Sequence, residues 1–90
     1  MDNKSRNQYK PQIVSPPGAT IADLLYEKNL TQREFAERMG CSLNKARNII
    51  NGKQAITHEI AITLEEIFGI PATFWNEREA RYRKSILDAR

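Results

Sequence analysis

Three asparagines, at positions 44, 48 and 51, have the residue type and spacing best suited to a chemical task in this chain. Separations of four and three residues place Asn44, Asn48 and Asn51 on one side of a helix, and Lys45 and Arg47 flank them. Carboxamides form paired hydrogen bonds with base edges, and cations offset phosphate charge. This side of the predicted helix therefore has the chemistry that a DNA groove requires.

The charge pattern around these asparagines favours an anionic partner. No Asp or Glu occurs from Arg38 to His58, whereas four Lys or Arg do, and the whole chain of 90 residues has a formal net charge of +3. Such a balance fits nucleic acid without requiring it, because most charged helix faces simply contact water. From these residues alone, an ordinary helical hairpin with a solvated polar side remains the alternative.

Two short helices joined by a tight turn are predicted to position the asparagines. Thr31 and Glu34 have the spacing of a capping box at the start of the first helix, and Gly40 suits the left-handed residue at its end. Ser42 is the predicted N-cap of the second helix, which stops at Asn51-Gly52. The turn contains glycine and is three or four residues long, as a DNA-binding helix-turn-helix requires.

Apolar residues at helical spacing elsewhere predict three further helices, and so an all-α, five-helix domain with one modest core. The first helix is expected over residues 20–28, after a Pro-Pro-Gly breaker at residues 16–18. The fourth is expected after the N-cap Thr57, and the fifth from Ala72 onward. The predicted divisions are a flexible N-terminal arm at 1–15, a helix-turn-helix domain at 16–71 and a C-terminal helix at 72–90.

The large apolar residues of the last helix fall into two groups. Phe74 and Trp75 are expected to complete the core of the domain, whereas Tyr82, Ile86 and Leu87 lie two to three turns further along. An exposed apolar strip at that distance would be a dimer seam or a partner surface.

No catalytic, metal or cofactor site is predicted. The chain has one histidine and one cysteine, and His58 has no neighbour at metal-ligand spacing. Cys41 is expected to be a buried structural thiol, with a redox switch as the alternative. No apolar run approaches the roughly 18 residues of a membrane span, and no secretion signal is present. We therefore expect a cytoplasmic, non-enzymatic protein without a cofactor.

The helix-turn-helix segment resembles a known family. Residues 30–42, LTQREFAERMGCS, followed by IINGK at residues 49–53, are similar to the helix-turn-helix of the phage-repressor-like XRE family. The sequence SPPG at residues 15–18, QAIT at 54–57, and residues 64–75 resemble its HigA antitoxin branch. The resemblance implies a sequence-specific repressor that also neutralises a ribonuclease toxin and represses the promoter of the pair.

The resemblance also suggests how DNA would be bound. The helix from Ser42 to Asn51 would enter the major groove, and its amides at Asn44 and Asn48 would contact bases. Gln32 and Ser42 match positions that the family uses to hold the DNA backbone. Lys45 and Arg47 would contact a base or a phosphate, and Lys53 and Thr57 are further phosphate candidates. The predicted DNA-binding set is Gln32, Ser42, Asn44, Lys45, Arg47, Asn48, Lys53 and Thr57.

The expected partners are double-stranded DNA, a second copy of the chain and a toxin protein. One domain offers few contacts, so we expect a homodimer on an inverted-repeat operator with half-sites about 34 Å apart. Three alternatives remain from the sequence. They are an XRE-type regulator without a toxin, the N-terminal regulatory domain of a larger protein, and a protein-interaction module that works through its fifth helix.

Overall fold

Five α-helices and no strand make up residues 14–89, the part of the chain that the computed structural model describes. The predicted all-α, five-helix fold is confirmed. Of the predicted N-terminal arm, residues 1–13 lie outside the described residues, whereas Val14 and Ser15 lie within them. No helix between residues 14 and 89 is long and apolar enough to cross a membrane. The helices are α1 (Pro17–Glu27), α2 (Gln32–Met39), α3 (Leu43–Ile50), α4 (His58–Phe68) and α5 (Ala72–Asp88).

The predicted capping signals around α2 and α3 are confirmed. The Thr31 hydroxyl accepts a hydrogen bond from the Glu34 N–H at 3.0 Å, and the Glu34 carboxylate accepts one from the Thr31 N–H at 2.8 Å. Gly40 ends α2 with a φ of 72°, a conformation that glycine adopts without steric cost. The Ser42 hydroxyl then accepts from the Lys45 N–H at 3.1 Å and starts α3. These local contacts fix the length of the turn.

The first helix begins earlier than predicted. The Pro-Pro-Gly sequence was expected to break the chain before a helix over residues 20–28, but α1 already begins at Pro17. Proline is favoured at the first helical position because it has no N–H to leave unpaired there and its φ already suits a helix. Asn29, with a φ of 57°, follows the end of α1 as the predicted stop.

Aromatic rings connect α2, α4 and α5 through the core. Phe35 and Phe68 stack with their centroids 6.0 Å apart, and Phe68 lies 6.3 Å from the fully buried Trp75. Phe74 meets Trp75 edge-on at 5.1 Å, and the indole N–H of Trp75 donates to the carbonyl of Ile70 at 3.2 Å. The prediction that Phe74 and Trp75 complete the core is confirmed, because Phe74 packs against the core beside Trp75.

Burial falls off along the C-terminal half of α5. Tyr82 and Ile86 are half-buried, and Leu87 is 63% exposed. Cys41, expected to be buried, is half-buried and packs against the core from the turn between α2 and α3. The turn between α2 and α3 therefore places Cys41 at the edge of the core.

The start of α1 lies directly against the end of α3. A Cβ atom built on Gly18 would lie 1.9 Å from the carbonyl oxygen of Ile50 and 2.6 Å from that of Ile49. Backbone atoms cannot yield as the end of a flexible side chain can. Only glycine at this position therefore permits the observed distance between α1 and α3.

The substitution Gly18→Ala should lower the free energy of unfolding by about 3 kcal/mol, because the new methyl group would force α1 away from α3. Urea denaturation followed by circular dichroism would measure the change. Gly40→Ala is the matched control: it has open space around the new Cβ but a φ of 72°, so it should cost only about 1 kcal/mol. Equal losses of unfolding free energy in the two variants would contradict the close approach of α1 to α3.

Candidate nucleic-acid interface

Burial of one side of α3 sets the direction of its polar side. Ala46, Ile49 and Ile50 are at most 8% exposed and lie in the core. The side chains that the sequence predicted for DNA lie on the opposite side or on its flanks. Asn44, Lys45, Arg47 and Asn51 are exposed, and Asn48 is half-buried.

The chain folds back after α3 and meets the backbone of Asn48. Its carbonyl oxygen accepts hydrogen bonds from the backbone N–H groups of Lys53 at 2.9 Å and Gln54 at 3.0 Å. These two bonds close the turn that leads out of α3, in which Gly52 has a φ of 80°. Asn48 therefore lies where the helix surface meets this exit turn, and Lys53 is exposed on the turn itself.

The structure brings together two predicted residues that lie on different helices. The Arg47 guanidinium donates from Nε to the side-chain oxygen of Gln32 at 3.2 Å, which joins α3 to the first turn of α2. The amide nitrogen of Gln32 still has two donors available for an anion. Arg47 and Gln32 therefore form one polar unit at the junction of the two helices.

Ser42 and Thr57 are exposed N-caps at the starts of α3 and α4. Their hydroxyl oxygens accept hydrogen bonds from the N–H groups of Lys45 at 3.1 Å and Ile60 at 3.2 Å. A hydroxyl that accepts through oxygen can still donate its proton. Both side chains can therefore stabilise a helix and donate to a phosphate oxygen at the same time.

Two further observations concern metal-ligating residue types among residues 14–89. No group of His, Cys, Asp and Glu in this range could hold a metal ion. His58 faces an amide, with its Nδ1 3.4 Å from the side-chain nitrogen of Asn76.

One polar contact at the end of α3 was not predicted. Arg83 on α5 donates from its terminal nitrogen to the carbonyl oxygen of Gly52 at 3.0 Å, and its Nε donates to the carboxylate of Glu79. The separation of four residues between Glu79 and Arg83 indicates a pair within a helix. Nothing in the sequence indicated that this pair would meet Gly52, because 31 residues separate Gly52 from Arg83.

Comparison with known proteins places this geometry in a family. The helix-turn-helix family model matches residues 21–75. YddM, an uncharacterised helix-turn-helix-type transcriptional regulator of Escherichia coli strain K12, is 37% identical over 59 residues, which cover 66% of this chain and 63% of YddM. This chain therefore spans less than two thirds of the length of that relative.

Solved structures show the same fold. A protein of Nostoc punctiforme, assigned as an antidote protein of a plasmid maintenance system, is 32% identical with a TM-score of 0.76, over 82% of this chain and 84% of that one. The antitoxin HigA of Pseudomonas aeruginosa, solved with the higBA promoter, is 20% identical with a TM-score of 0.75, over 84% and 83% of the two chains. The family match spans more than half of the sequence, and the chain belongs to the XRE-type helix-turn-helix family of DNA-binding regulators.

Proposed function

We propose that this protein binds specific DNA sequences through α3 and represses transcription. The observation that carries the proposal is the outward side of α3, where exposed amides and cations lie opposite a fully buried apolar side. No carboxylate occurs in the sequence from Arg38 to His58 to repel a phosphate backbone. The family to which the chain belongs supports the same function.

The proposed contacts divide into base recognition and backbone binding. Asn44 and Asn48 would form paired hydrogen bonds with base edges in the major groove, where an amide matches adenine. Lys45 and Arg47 would contact a base or a phosphate. The remaining contacts would go to the DNA backbone and set the register of the protein on the duplex. These backbone contacts come from Gln32, Ser42, Lys53 and Thr57.

We further propose a homodimer on an inverted-repeat operator. A single α3 of eight residues reaches only a few base pairs, so two copies are needed for tight and selective binding. Two-fold symmetry in the protein would then be mirrored in the operator. The exposed Leu87 and the half-buried Ile86 at the end of α5 support a role for this helix in contact with a second chain.

The more specific proposal is that the protein is the antitoxin of a HigA-like pair, which neutralises a ribonuclease toxin and represses its own promoter. The similarity to the Nostoc antidote protein, at 32% identity, supports it, as does the shared fold with HigA. A regulator of the same family without a toxin is the nearest alternative. A protein-interaction module working through α5 would differ from both, since apolar binding depends little on salt.

Replacing Asn44 or Asn48 by Ala should weaken operator binding by about 1–3 kcal/mol and relax discrimination at one base pair, because the paired hydrogen bonds to that base are lost. Binding to an operator and to its single-base variants would be measured by gel shift. Asn29→Gly is the control: it removes an exposed amide outside α3 at a position with a φ of 57°. Unchanged operator affinity in both α3 variants would refute base contact by these asparagines.

Replacing Lys53 by Ala should weaken binding to all sequences alike, because one phosphate contact is lost. The salt slope, which is the slope of log affinity against log salt concentration, should fall in magnitude by about 1 because the counterion release of that contact is also lost. Titrations at several salt concentrations, with operator and random duplexes, would measure both quantities. Lys28→Ala removes the same charge from an exposed position at the end of α1 and should leave the slope nearly unchanged. A base-dependent loss for Lys53→Ala would contradict the assignment to phosphate.

The antitoxin proposal predicts a toxic reading frame beside the gene for this protein. Expression of that neighbouring frame alone should arrest growth, and co-expression of this chain should restore it. The Asn44→Ala variant is a useful control, because it should lose repression but keep neutralisation if the two activities use separate surfaces. If no adjacent frame is toxic, the antitoxin role fails while DNA binding stands.

A further inference from the structure

The exit turn of α3 is held by a polar contact from the far end of the chain. The Arg83 side chain donates to the Gly52 carbonyl at 3.0 Å, and Glu79 one turn earlier accepts from the same guanidinium. Arg83 therefore joins two acceptors, one on its own helix and one on the turn after α3. Gly52 immediately precedes Lys53, a predicted phosphate contact.

The surroundings of this contact restrict its geometry. Glu79 is 8% exposed and is the one buried charged side chain among residues 14–89. The guanidinium of Arg83 lies 5.0 Å from the ring centroid of Tyr82, so an aromatic face supports it. The Tyr82 hydroxyl would lie 3.1 Å from a Cβ atom built on Gly52, which shows how closely α5 approaches the turn.

Stability alone does not account for an ion pair in which Glu79 is buried and Arg83, with 37% of its side chain exposed, is half-buried. Removing the Glu79 carboxylate from water costs free energy that the attraction of an arginine often only offsets, and apolar replacements of such pairs are frequently as stable. The guanidinium of an arginine makes hydrogen bonds in fixed directions, because its N–H donors have a planar arrangement. Here one donor is held by Glu79 while another is directed at a single backbone oxygen, that of Gly52.

The exit turn, to which Arg83 is hydrogen-bonded, also sets the position of Lys53 in the candidate interface. The N–H groups of Lys53 and Gln54 both donate to the Asn48 carbonyl, so the turn and the last part of α3 form one hydrogen-bonded unit. A shift of Gly52 would move Lys53 relative to Asn48. The distance between a phosphate contact and a base contact would then change.

We infer that Arg83, oriented by Glu79, is a positioning residue that fixes the exit turn of α3 for selective DNA binding. Arg83 acts through the Gly52 carbonyl rather than by touching DNA. The inference rests on the proposed function for its effect on DNA, whereas its effect on the exit turn is independent of any ligand. Two measurements separate these effects.

The first measurement is hydrogen exchange in the free protein. Arg83→Gln should raise the exchange rates of the Lys53 and Gln54 amides by about tenfold, because the turn loses its anchor. Arg81→Gln is the matched control, since it removes the same charge from an exposed position on the same helix and should leave these rates unchanged. Equal rates in the two variants would overturn the inference whether or not the protein binds DNA.

The second measurement is the ratio of operator affinity to random-duplex affinity. Arg83→Gln should reduce this ratio by about tenfold without changing the salt slope. Loss of affinity for all sequences alike, with a smaller slope, would show that Arg83 is a phosphate contact and overturn the inference. Failure of the unmodified protein to prefer any operator would instead refute the proposed function.

Glu79→Gln provides the sharpest test, because charge and position predict different changes in the operator-to-random ratio. This variant makes the protein more positive, so simple electrostatics predicts tighter binding to operator and random duplexes alike, and therefore an unchanged ratio. Loss of the orienting carboxylate predicts a lower operator-to-random ratio. The double variant Glu79→Gln with Arg83→Gln should lose no more selectivity than Arg83→Gln alone, and additive losses would overturn the inference. The small change from carboxylate to amide keeps the packing around position 79.

Discussion

The orientation of α3 about its own axis is the constraint on which the candidate interface depends. Ile49 and Ile50 are almost fully buried, and each contributes about 2 kcal/mol through removal of its side chain from water. Half a turn of rotation would expose both and bury Asn44 and Asn48 without partners, which costs further free energy. Packing in the core therefore keeps the amides outward before any ligand is present.

Local features of the fold could be predicted from the sequence, and long-range contacts could not. Thr31, Gly40 and Ser42 act within one helical turn, so their spacing alone predicted the bounds of α2 and α3. The direction of the asparagine surface followed from the same periodicity. The link from Arg47 to Gln32 and the contact of Gly18 with α3 bring together residues that are distant in sequence, and periodicity carries no information about such pairs.

The fifth helix has two kinds of contact along its length. Its first turns pack through Phe74 and Trp75 against an aromatic core, where burial contributes most of the stability. Beyond Trp75 the helix also makes directional polar contacts, such as the bond from Arg78 to the carbonyl of Pro16 at 3.0 Å. The sequence predicted the first kind, since apolar spacing is visible, but it gave no acceptor for Arg78 or Arg83. Apolar packing therefore holds the start of α5, and polar contacts with Pro16 and Gly52 hold the turns that follow.

Two N-cap hydroxyls are also proposed phosphate donors, which has a consequence for how such proteins diversify. A substitution at Ser42 or Thr57 removes a helix cap as well as a proposed phosphate donor, so a descendant that loses either hydroxyl is penalised twice. Asn44 makes no contribution to the core and can mutate with little effect on folding. Under the proposed assignment, changes of operator should therefore occur through position 44, while Ser42 and Thr57 stay the same.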